Sequence, residues 1–182
     1  IGVEMACIYA KLGVSVTILE AEKRCLPMLD VELGRSAEAM LKGLGVALFT
    51  DACLQRIAGT TGHFTVTYEK NGAEAEHSAE GVLLATGRKP VTEGLFSQNS
   101  LPNVYAIGDV NGVFQLAHAA HAQGLAAVSD MLGIPAPINA MLIPSCVYTS
   151  PEIASIGITA DEAKAQGLDV VVGKALTTQN AH

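Results

Sequence analysis

Apolar and polar positions in the N-terminal part of the chain recur with periods that predict helices and strands in turn. The small and apolar residues from Gly2 to Leu12 predict a helix, and Gly13 follows where a helix end is expected. The β-branched run VSVTILE (14–20) has no polar alternation until its end, which is typical of a parallel strand covered on both faces. We therefore expect a helix followed by a buried parallel strand that ends at Glu20.

The same order of helix and strand then repeats. The segment DVELGRSAEAMLKGLG (30–45) predicts an amphipathic helix that ends at Gly43 and Gly45, because its apolar residues recur at helical spacing: Leu33, Ala37, Met40, Leu41 and Leu44. VALFT (46–50) predicts another covered strand. Strands that alternate with helices in this way predict a parallel sheet of the β-α-β-α-β kind.

A change of period follows, and it predicts an antiparallel meander. Three short strands are expected in CLQRIAG (53–59), HFTVTYEK (63–70) and AEAEHSAEGVLLAT (73–86). The turns between them contain TTG (60–62) and the pair Asn71-Gly72.

The remaining part of the chain mixes predicted strands, helices and a linker. In order, the pattern predicts a break at GRKP (87–90), a strand at PNVYAIGD (102–109), an Ala-rich helix at FQLAHAAHAQGLAAVSDML (114–132), a linker at GIPAPINA (133–140) and a strand-like stretch at MLIPSCVYTSPEIASIGIT (141–159). A short helix follows, with Thr159 as its N-cap and Glu162 at the capping-box position.

Composition limits the classes of function. Apolar residues make up 49% of the chain and charged residues 16%, which predicts a buried core. The net charge of −7 argues against nucleic acid as a partner, and no apolar run reaches the roughly 18 residues of a membrane span. The cysteines have no CxxC spacing, so we expect single buried thiols in a reducing cytosol: Cys7, Cys25, Cys53 and Cys146.

Glu20 is the first candidate for a chemical role. Gly2 precedes a helix, as the last glycine of a G-x-G-x-x-G turn would, and Glu20 ends the next predicted strand. A carboxylate there can accept hydrogen bonds from both adenosine ribose hydroxyls and would repel a 2′-phosphate. The alternative is a solvated acid at a strand end.

Two later segments repeat the arrangement of a strand that ends at a glycine. ATGRKP places Gly87 where the backbone can pass close to a ring or a phosphate, and NVYAIGDV places Asp109 before an Ala-rich helix. An acid beside a helix N-terminus can bind a hydroxyl and an anion together. The pattern therefore predicts two bound nucleotides.

Taken together, the segments IGVE, VTILE, LLATGRKP, NVYAIGDV, QLAH, AHAQG and PSCVYTSPEIASIG resemble those of the flavin-dependent pyridine nucleotide–disulfide oxidoreductases. The resemblance implies an α/β fold with three parts. Residues 1–85 would form most of a Rossmann-like NAD-binding domain, with a parallel sheet plus an antiparallel meander, lacking its first strand and first glycines. Residues 86–138 would be a returning segment of an FAD-binding domain, and residues 139–182 the start of an α+β dimerisation domain.

The resemblance also implies the residues of an NAD site, namely Ile1, Gly2, Val3, Glu4, Glu20, Leu54 and Gly87. Gly2 would lie at the pyrophosphate turn, Glu4 near the nicotinamide carboxamide, and Glu20 on the adenosine ribose. Glu4 is alternatively an acid in a first helical turn, stabilised by the helix dipole. Leu54 would line the adenine pocket, although a core leucine is the preferred interpretation. Gly87 would face the nicotinamide through its backbone.

For FAD, the resemblance implies that Asp109 accepts from a ribitol hydroxyl. The backbone around Gln115, Leu116, Ala117 and His118 would meet the flavin pyrimidine. A helix that begins there points its positive end at a region that becomes negative on reduction. His118 and His121 suggest acid–base roles, but a hydrogen bond or packing near the flavin is the preferred interpretation.

Within this family, the members that oxidise dihydrolipoamide are the most similar. They imply an oxidoreductase that moves electrons between dihydrolipoamide, a redox disulfide, FAD and NAD. They also imply a homodimer and a lipoyl-bearing partner protein from a 2-oxoacid dehydrogenase or glycine cleavage complex.

The family's CxxxxC disulfide and C-terminal His–Glu pair do not occur in the sequence, and His182 has no partner acid. The N-terminal FAD domain is missing as well, and the stretch between ATGRKP and AIGD is shorter than usual. We therefore expect a fragment that is inactive alone.

Two alternatives remain open at this stage. One is an NADPH-linked disulfide or mercuric reductase of the same family, which would want a basic residue where Glu20 stands; Lys23 and Arg24 lie nearby. The other is a non-catalytic nucleotide-binding or dimerisation module.

Overall fold

The computed structural model describes residues 1–95, 103–139 and 142–175. Contacts between Cα atoms divide the chain into two units, which are described separately. The first comprises residues 1–83, 147–153 and 158–182, and the second comprises residues 84–146 and 154–157. The expected boundary after residue 85 lies two residues from the first division and stays a prediction.

A helix, a strand, a second helix and a second strand form the N-terminal part of the first unit. They are α1 (Gly2–Lys11), β1 (Thr17–Leu19), α2 (Val31–Gly43) and β2 (Ala47–Phe49). The predicted parallel pairing is confirmed, since Ile18 lies opposite Leu48 in a parallel ladder. The expectation of strands covered on both faces is wrong, because each strand has only three residues and most of these are half-buried.

The core of this unit combines residues from α1, from α2 and from the segments around them, and its buried members are Val3, Ala6, Cys7, Cys25, Leu29, Ala37, Leu41, Val46 and Ile153. Helix α2 begins at its N-cap Asp30, whose carboxylate accepts from the Glu32 N–H at 3.1 Å. The same carboxylate accepts from the Ala160 N–H at 3.2 Å. One side chain therefore anchors the beginnings of two helices, α2 and the helix that starts at Ala160.

The predicted meander is confirmed as an antiparallel sheet of three strands, β3 (Ala52–Thr60), β4 (His63–Lys70) and β5 (Ala73–Ala79). Asn71 and Gly72 both have positive φ, at 54° and 75°, which is the geometry of a tight type I′ hairpin turn. A bulge interrupts the register of β3 between Leu54 and Arg56.

The second half of the strand predicted at 73–86 and the strand predicted at 102–109 do not form in the described part of the chain. Residues 81–86 and 103–107 have no regular secondary structure, and their apolar side chains are exposed, Leu84 at 64% and Val104 at 49%. Among the described residues neither segment has a neighbouring strand, so their backbone groups have no ladder to join. Pro102 and the other residues of 96–102, within the shortened stretch, lie outside the described residues.

The second unit is built on α3 (Ala117–Leu132), which begins three residues later than the predicted helix. A 3-10 helix at Gly108–Asn111 precedes it. Its small core contains Ala119, Ala122 and Ile143, with Phe114 and Leu116 packed against them. The predicted linker has no helix or strand in its described part, residues 133–139.

The predicted strand-like stretch after the linker contains two strands of three residues, β6 (Ser145–Val147) and β7 (Ile153–Ser155), which pair with each other. Helix α4 (Ala160–Ala165) follows. Its predicted capping box is confirmed, since Glu162 Oε2 accepts from the Thr159 N–H at 2.7 Å and Thr159 Oγ1 accepts from the Glu162 N–H at 3.2 Å.

Candidate functional site

Glu20 lies directly after β1, at the carboxyl end of the parallel pair. Its backbone N–H donates to the carbonyl of Phe49 at 2.8 Å, which fixes the strand end against β2. Its carboxylate accepts from the Glu22 N–H at 2.9 Å and is half-buried. The side chain is therefore held at the strand edge by a local bond that uses only one of its two oxygens, Oε1.

The N-terminus of α1 carries the next predicted NAD residues. Ile1 is the N-cap and is 74% exposed, and its side chain makes no capping hydrogen bond. Gly2 is the first helical residue, while the Val3 side chain is buried in the core. A ligand could therefore meet Val3 only through its backbone.

Glu4, in the first turn of α1, makes a contact that sequence reasoning did not find. Its Oε1 accepts a hydrogen bond from the backbone N–H of Tyr148 at 2.8 Å. Burial works to raise the pKa of Glu4, but this hydrogen bond and the neighbouring amino group of Ile1 outweigh it and leave the pKa below its usual value. The carboxylate therefore stays ionised at neutral pH.

The preferred interpretation of Leu54 as a core residue is wrong. Its side chain is 37% exposed, and it lies opposite Tyr68 in the β3–β4 register, just before the bulge. Tyr68 stacks on Phe49 with the ring centroids 6.1 Å apart, and Lys70 Nζ lies 4.8 Å from the Phe49 centroid. An exposed leucine beside a packed aromatic pair suits the wall of a pocket better than a core, because a core leucine would be covered.

In the second unit, Gly87 is exposed and has a φ of 93°, a backbone conformation that favours glycine. Arg88 follows it and contacts both parts of the predicted FAD site. Its Nη1 lies 2.9 Å from Oδ2 of Asp109, and its Nη2 donates to the carbonyl of Gln115 at 3.3 Å. The Gln115 side-chain amide donates back to the Arg88 carbonyl at 3.3 Å.

Asp109 is placed by the tight approach of its loop to α3. Gly108 has a φ of 73°, and a Cβ at that position would lie 3.1 Å from the Cβ of Ala120. The Gly108 N–H donates to Gln123 Oε1 at 2.6 Å, and the same oxygen accepts from the side-chain amide of Asn111 at 2.9 Å. The positive φ and the close approach to Ala120 both favour glycine at this position, directly before Asp109.

The N-terminus of α3 carries the remaining predicted FAD residues. Leu116 is the N-cap and makes no side-chain capping bond, and Ala117 is the first helical residue. A ring nitrogen of His118 lies 2.7 Å from the carbonyl oxygen of Pro144, so this helix histidine is hydrogen-bonded, while its place near the flavin stays a prediction. His121 is exposed on the next turn. The arrangement leaves the positive end of α3 beside the Asp109 carboxylate, at the place predicted to bind flavin.

The four cysteines differ in exposure, and Cys146 is half-buried. Cys7 and Cys25 are buried in the core, and burial raises the pKa of both thiols, that of Cys25 to about 11. Cys53 is exposed, so the expectation of uniformly buried thiols is wrong there. None of the four forms a disulfide. Within residues 1–95, 103–139 and 142–175, no cluster of His, Cys, Asp and Glu could hold a metal ion.

The sequence predicts the acids and glycines of two candidate sites, which stay predictions, but it did not predict the side-chain contacts of Glu4 and Arg88. Arg88 stands inside the quoted ATGRKP segment, so a signal was available, whereas the Glu4 bond to Tyr148 joins residues with no sequence pattern in common. His182 lies outside the described residues. In the part of the chain that is described, no helix is long and apolar enough to cross a membrane.

Two protein-family models match the chain. The model described as pyridine nucleotide-disulphide oxidoreductase matches residues 1–124, and the model of the dimerisation domain of the same family matches residues 143–182. The first match alone spans more than half of the chain and includes all of the predicted site residues.

Curated relatives and solved structures agree with these matches. The chain is 36% identical to a dihydrolipoyl dehydrogenase of Bacillus subtilis over 96% of its length, and 35% identical to one of Mycobacterium bovis over its full length. It spans 41% and 44% of those proteins.

Among solved structures, LpdA from Mycobacterium tuberculosis matches with a TM-score of 0.74 at 28% identity, over 91% of this chain and 40% of that one. The HOCl-induced flavoprotein disulfide reductase RclA from Escherichia coli matches with a TM-score of 0.72 at 25% identity, over 92% and 42%.

Proposed function

The chain belongs to the pyridine nucleotide-disulphide oxidoreductase family, and we propose that it is the nucleotide-binding part of an NAD-linked flavoenzyme that oxidises dihydrolipoyl groups. The observation that carries the proposal is the Glu20 carboxylate, held at the carboxyl end of the parallel pair β1–β2. The chain spans about two fifths of the curated relatives it matches, so the activity is proposed for a longer protein of which this chain is a part.

In this proposal NAD lies along the carboxyl end of β1 and the N-terminus of α1. The backbone of Ile1, Gly2 and Val3 would face the pyrophosphate, since the positive end of a helix favours an anion. Glu20 would accept from the adenosine ribose hydroxyls with the oxygen that Glu22 leaves available. Leu54 supports an adenine pocket because it is exposed beside the Phe49–Tyr68 pair.

FAD would be held by the second unit. The Gly108 approach to Ala120 fits a backbone that must pass close to a ligand, and Asp109 would accept from a ribitol hydroxyl. Gln115, Leu116, Ala117 and His118 bring the N-terminus of α3 to the flavin pyrimidine, where its dipole would stabilise negative charge. FAD, when bound, supplies the two-electron transfer between the disulfide and NAD.

The division into residues 1–85, 86–138 and 139–182 is proposed with the function. Residues 143–182 match the dimerisation model, which supports a homodimer of the longer protein. The relatives' name, dihydrolipoyl dehydrogenase, supports a dihydrolipoyl group as the substrate. We propose that this group is borne by a lipoyl protein of a 2-oxoacid dehydrogenase or glycine cleavage complex, as the sequence resemblance implies. The overall reaction would convert a dihydrolipoyl group and NAD⁺ into a lipoyl disulfide, NADH and a proton.

The nucleotide preference is tested by charge reversal at Glu20 in the enzyme that contains this segment. We expect Glu20→Arg to raise KM for NAD⁺ at least about tenfold and to improve the use of NADP⁺. Glu22→Arg is the matched control, because it makes the same charge change at an exposed site two residues away. An enzyme that prefers NADP⁺ before any substitution contradicts the assignment.

The alternative NADPH-linked reductase would need a cation close to Glu20. The Arg24 guanidinium is instead committed to a nearby loop, since it donates to the carbonyls of Leu29 and Pro27, both at 2.7 Å. This commitment supports NAD as the cofactor.

The 182-residue chain alone is expected to be inactive, because its sequence contains neither a CxxxxC disulfide nor a His–Glu pair. We expect the purified chain to lack yellow flavin and to leave NADH unoxidised in the presence of lipoamide. Stoichiometric flavin absorbance would contradict this expectation. Tight NAD binding by a stable dimer of the chain would favour the non-catalytic module instead.

A further inference from the structure

The guanidinium of Arg88 joins three segments of the second unit that are separate in sequence. One nitrogen pairs with the Asp109 carboxylate at 2.9 Å, and the other donates to the Gln115 carbonyl at 3.3 Å. The Gln115 amide returns a bond to the Arg88 carbonyl, also at 3.3 Å. Arg88 therefore contacts both the acid proposed for the ribitol and the residue that leads into α3.

Resting on the proposed function, we propose that Arg88 is a positioning residue of the flavin site, whose two guanidinium arms fix the Asp109 carboxylate relative to the N-terminus of α3. The planar guanidinium presents donors in a fixed fork, so it can hold a carboxylate and a carbonyl at once. A lysine ammonium at the same place is a point charge without that fork.

The charge of Arg88 has a second consequence for the cofactor. Asp109 is a carboxylate in the site where the flavin ring, proposed to lie at the N-terminus of α3, becomes negative on reduction. Like charges repel, and a cation paired with Asp109 offsets this repulsion. The ion pair uses Oδ2 of Asp109, which leaves Oδ1 to accept a hydroxyl.

The turn that carries Asp109, residues 106–113, is held by contacts that do not involve Arg88. The side-chain amide of Asn111 donates to the Ala106 carbonyl at 3.2 Å, its Oδ1 accepts from the Val113 N–H at 3.0 Å, and Gln123 secures Gly108. The ion pair is about half exposed, 56% for Arg88 and 50% for Asp109, and such pairs contribute little to stability. An Arg88 variant should therefore keep the fold of the turn and lose the orientation of the acid.

The test compares variants in the flavin-loaded enzyme that contains this segment. Arg88→Met removes charge and fork, Arg88→Lys keeps only the charge, and Lys89→Met removes a charge from the exposed neighbour as the matched control. We expect the dissociation constant of FAD to rise about tenfold for Arg88→Met, and part of that for Arg88→Lys. The Lys89→Met value should stay within about twofold of the parent.

A double-mutant cycle separates positioning from a general structural role. In an Asp109→Asn background, Arg88→Met should weaken FAD binding by less than about threefold, because the charged partner through which it acts is gone. The visible flavin spectrum should shift in the Arg88→Met enzyme. Without flavin, the melting temperature of the Arg88→Met protein should stay close to that of the Lys89→Met protein.

Equal FAD binding by the Arg88→Met and Lys89→Met enzymes would overturn the inference, and so would a full tenfold effect in the Asp109→Asn background. If Arg88→Met does not fold, the Arg88→Lys enzyme decides, since unchanged binding and spectrum there would reject the role of the fork. If the parent enzyme itself carries no flavin, the proposed function fails and the inference fails with it.

Discussion

The carboxylate of Glu4 accepts a hydrogen bond from the backbone N–H of Tyr148, with 2.8 Å between Oε1 and N, although 144 residues separate the two. The bond ties the first turn of α1 to the residue that follows β6. Because Glu4 is only 22% exposed, the N–H it accepts from is partly shielded from water. This single contact links the segment proposed for NAD to the beginning of the segment that matches the dimerisation model.

Removing the acceptor should destabilise the chain. We expect Glu4→Ala to lower the free energy of unfolding by about 1 kcal/mol, because the Tyr148 N–H loses its partner. Glu4→Gln keeps an acceptor oxygen and should lower it by less. Urea unfolding followed by circular dichroism measures both values. An equal loss for the two variants would show that the charge, and not the hydrogen bond, is what stabilises.

The contacts of Glu4 also lead us to expect that the stability of the chain depends on pH. The pKa of Glu4 in the folded chain lies below its usual value of 4.5, because the hydrogen bond from Tyr148 and the amino group of Ile1 outweigh the effect of burial. A lowered folded-state pKa means that the stabilisation is complete above about pH 4.5 and is lost as the pH falls through the folded value. Unfolding curves between pH 6 and pH 3 should therefore converge for the parent and Glu4→Gln. Parallel curves would contradict the assignment.

Substitution by alanine should have opposite effects on stability at two glycines of α2. A Cβ at Gly34 would lie 2.8 Å from the Cys25 carbonyl oxygen, whereas a Cβ at Gly43 would meet nothing within 4 Å. We expect Gly34→Ala to destabilise by about 1–3 kcal/mol through this clash. Gly43→Ala should stabilise by up to about 1 kcal/mol, the ordinary gain of alanine over glycine in a helix. Thermal melting of both variants checks the contrast, and a stabilised Gly34→Ala would refute the close packing.

The thiols should differ sharply in reactivity. Cys25 is 1% exposed, and burial, together with the nearby charges of Glu38 and Glu20, raises its pKa to about 11. Cys53 is exposed on β3. Iodoacetamide at pH 8 should alkylate Cys53 and leave Cys25 intact until the chain unfolds, because only an accessible thiolate reacts. Peptide mass spectrometry over a time course reads out each site, and comparable rates would be inconsistent with a buried Cys25.

Local patterns were sufficient to predict several elements of the fold. The helices α1 and α2, the strand β4 and the capping box at Thr159 follow from neighbouring residues, whose periods and caps determine their structure. The strand expected at residues 103–107 did not form, because a strand needs a partner that its own sequence does not specify. Pairing is a property of two segments, so a single apolar run predicts it poorly.

The candidate sites show the same division. Glu20 and Asp109 were predicted because an acid at a strand end or after a glycine has a recognisable position in sequence. The exposure of Leu54 depends on the bulge beside it, and the contacts of Glu4 and Arg88 depend on tertiary geometry. These features could be found only with the chain folded.

The meander has a consequence for the order in which the chain acquires structure. Its three strands are consecutive and joined by tight turns, so pairing them closes only short loops and costs little chain entropy. The parallel pair β1–β2 must wait for the whole crossover through α2 before its strands can meet. During refolding, the sheet around Val66 can therefore be complete while the strand edge at Glu20 is still unformed.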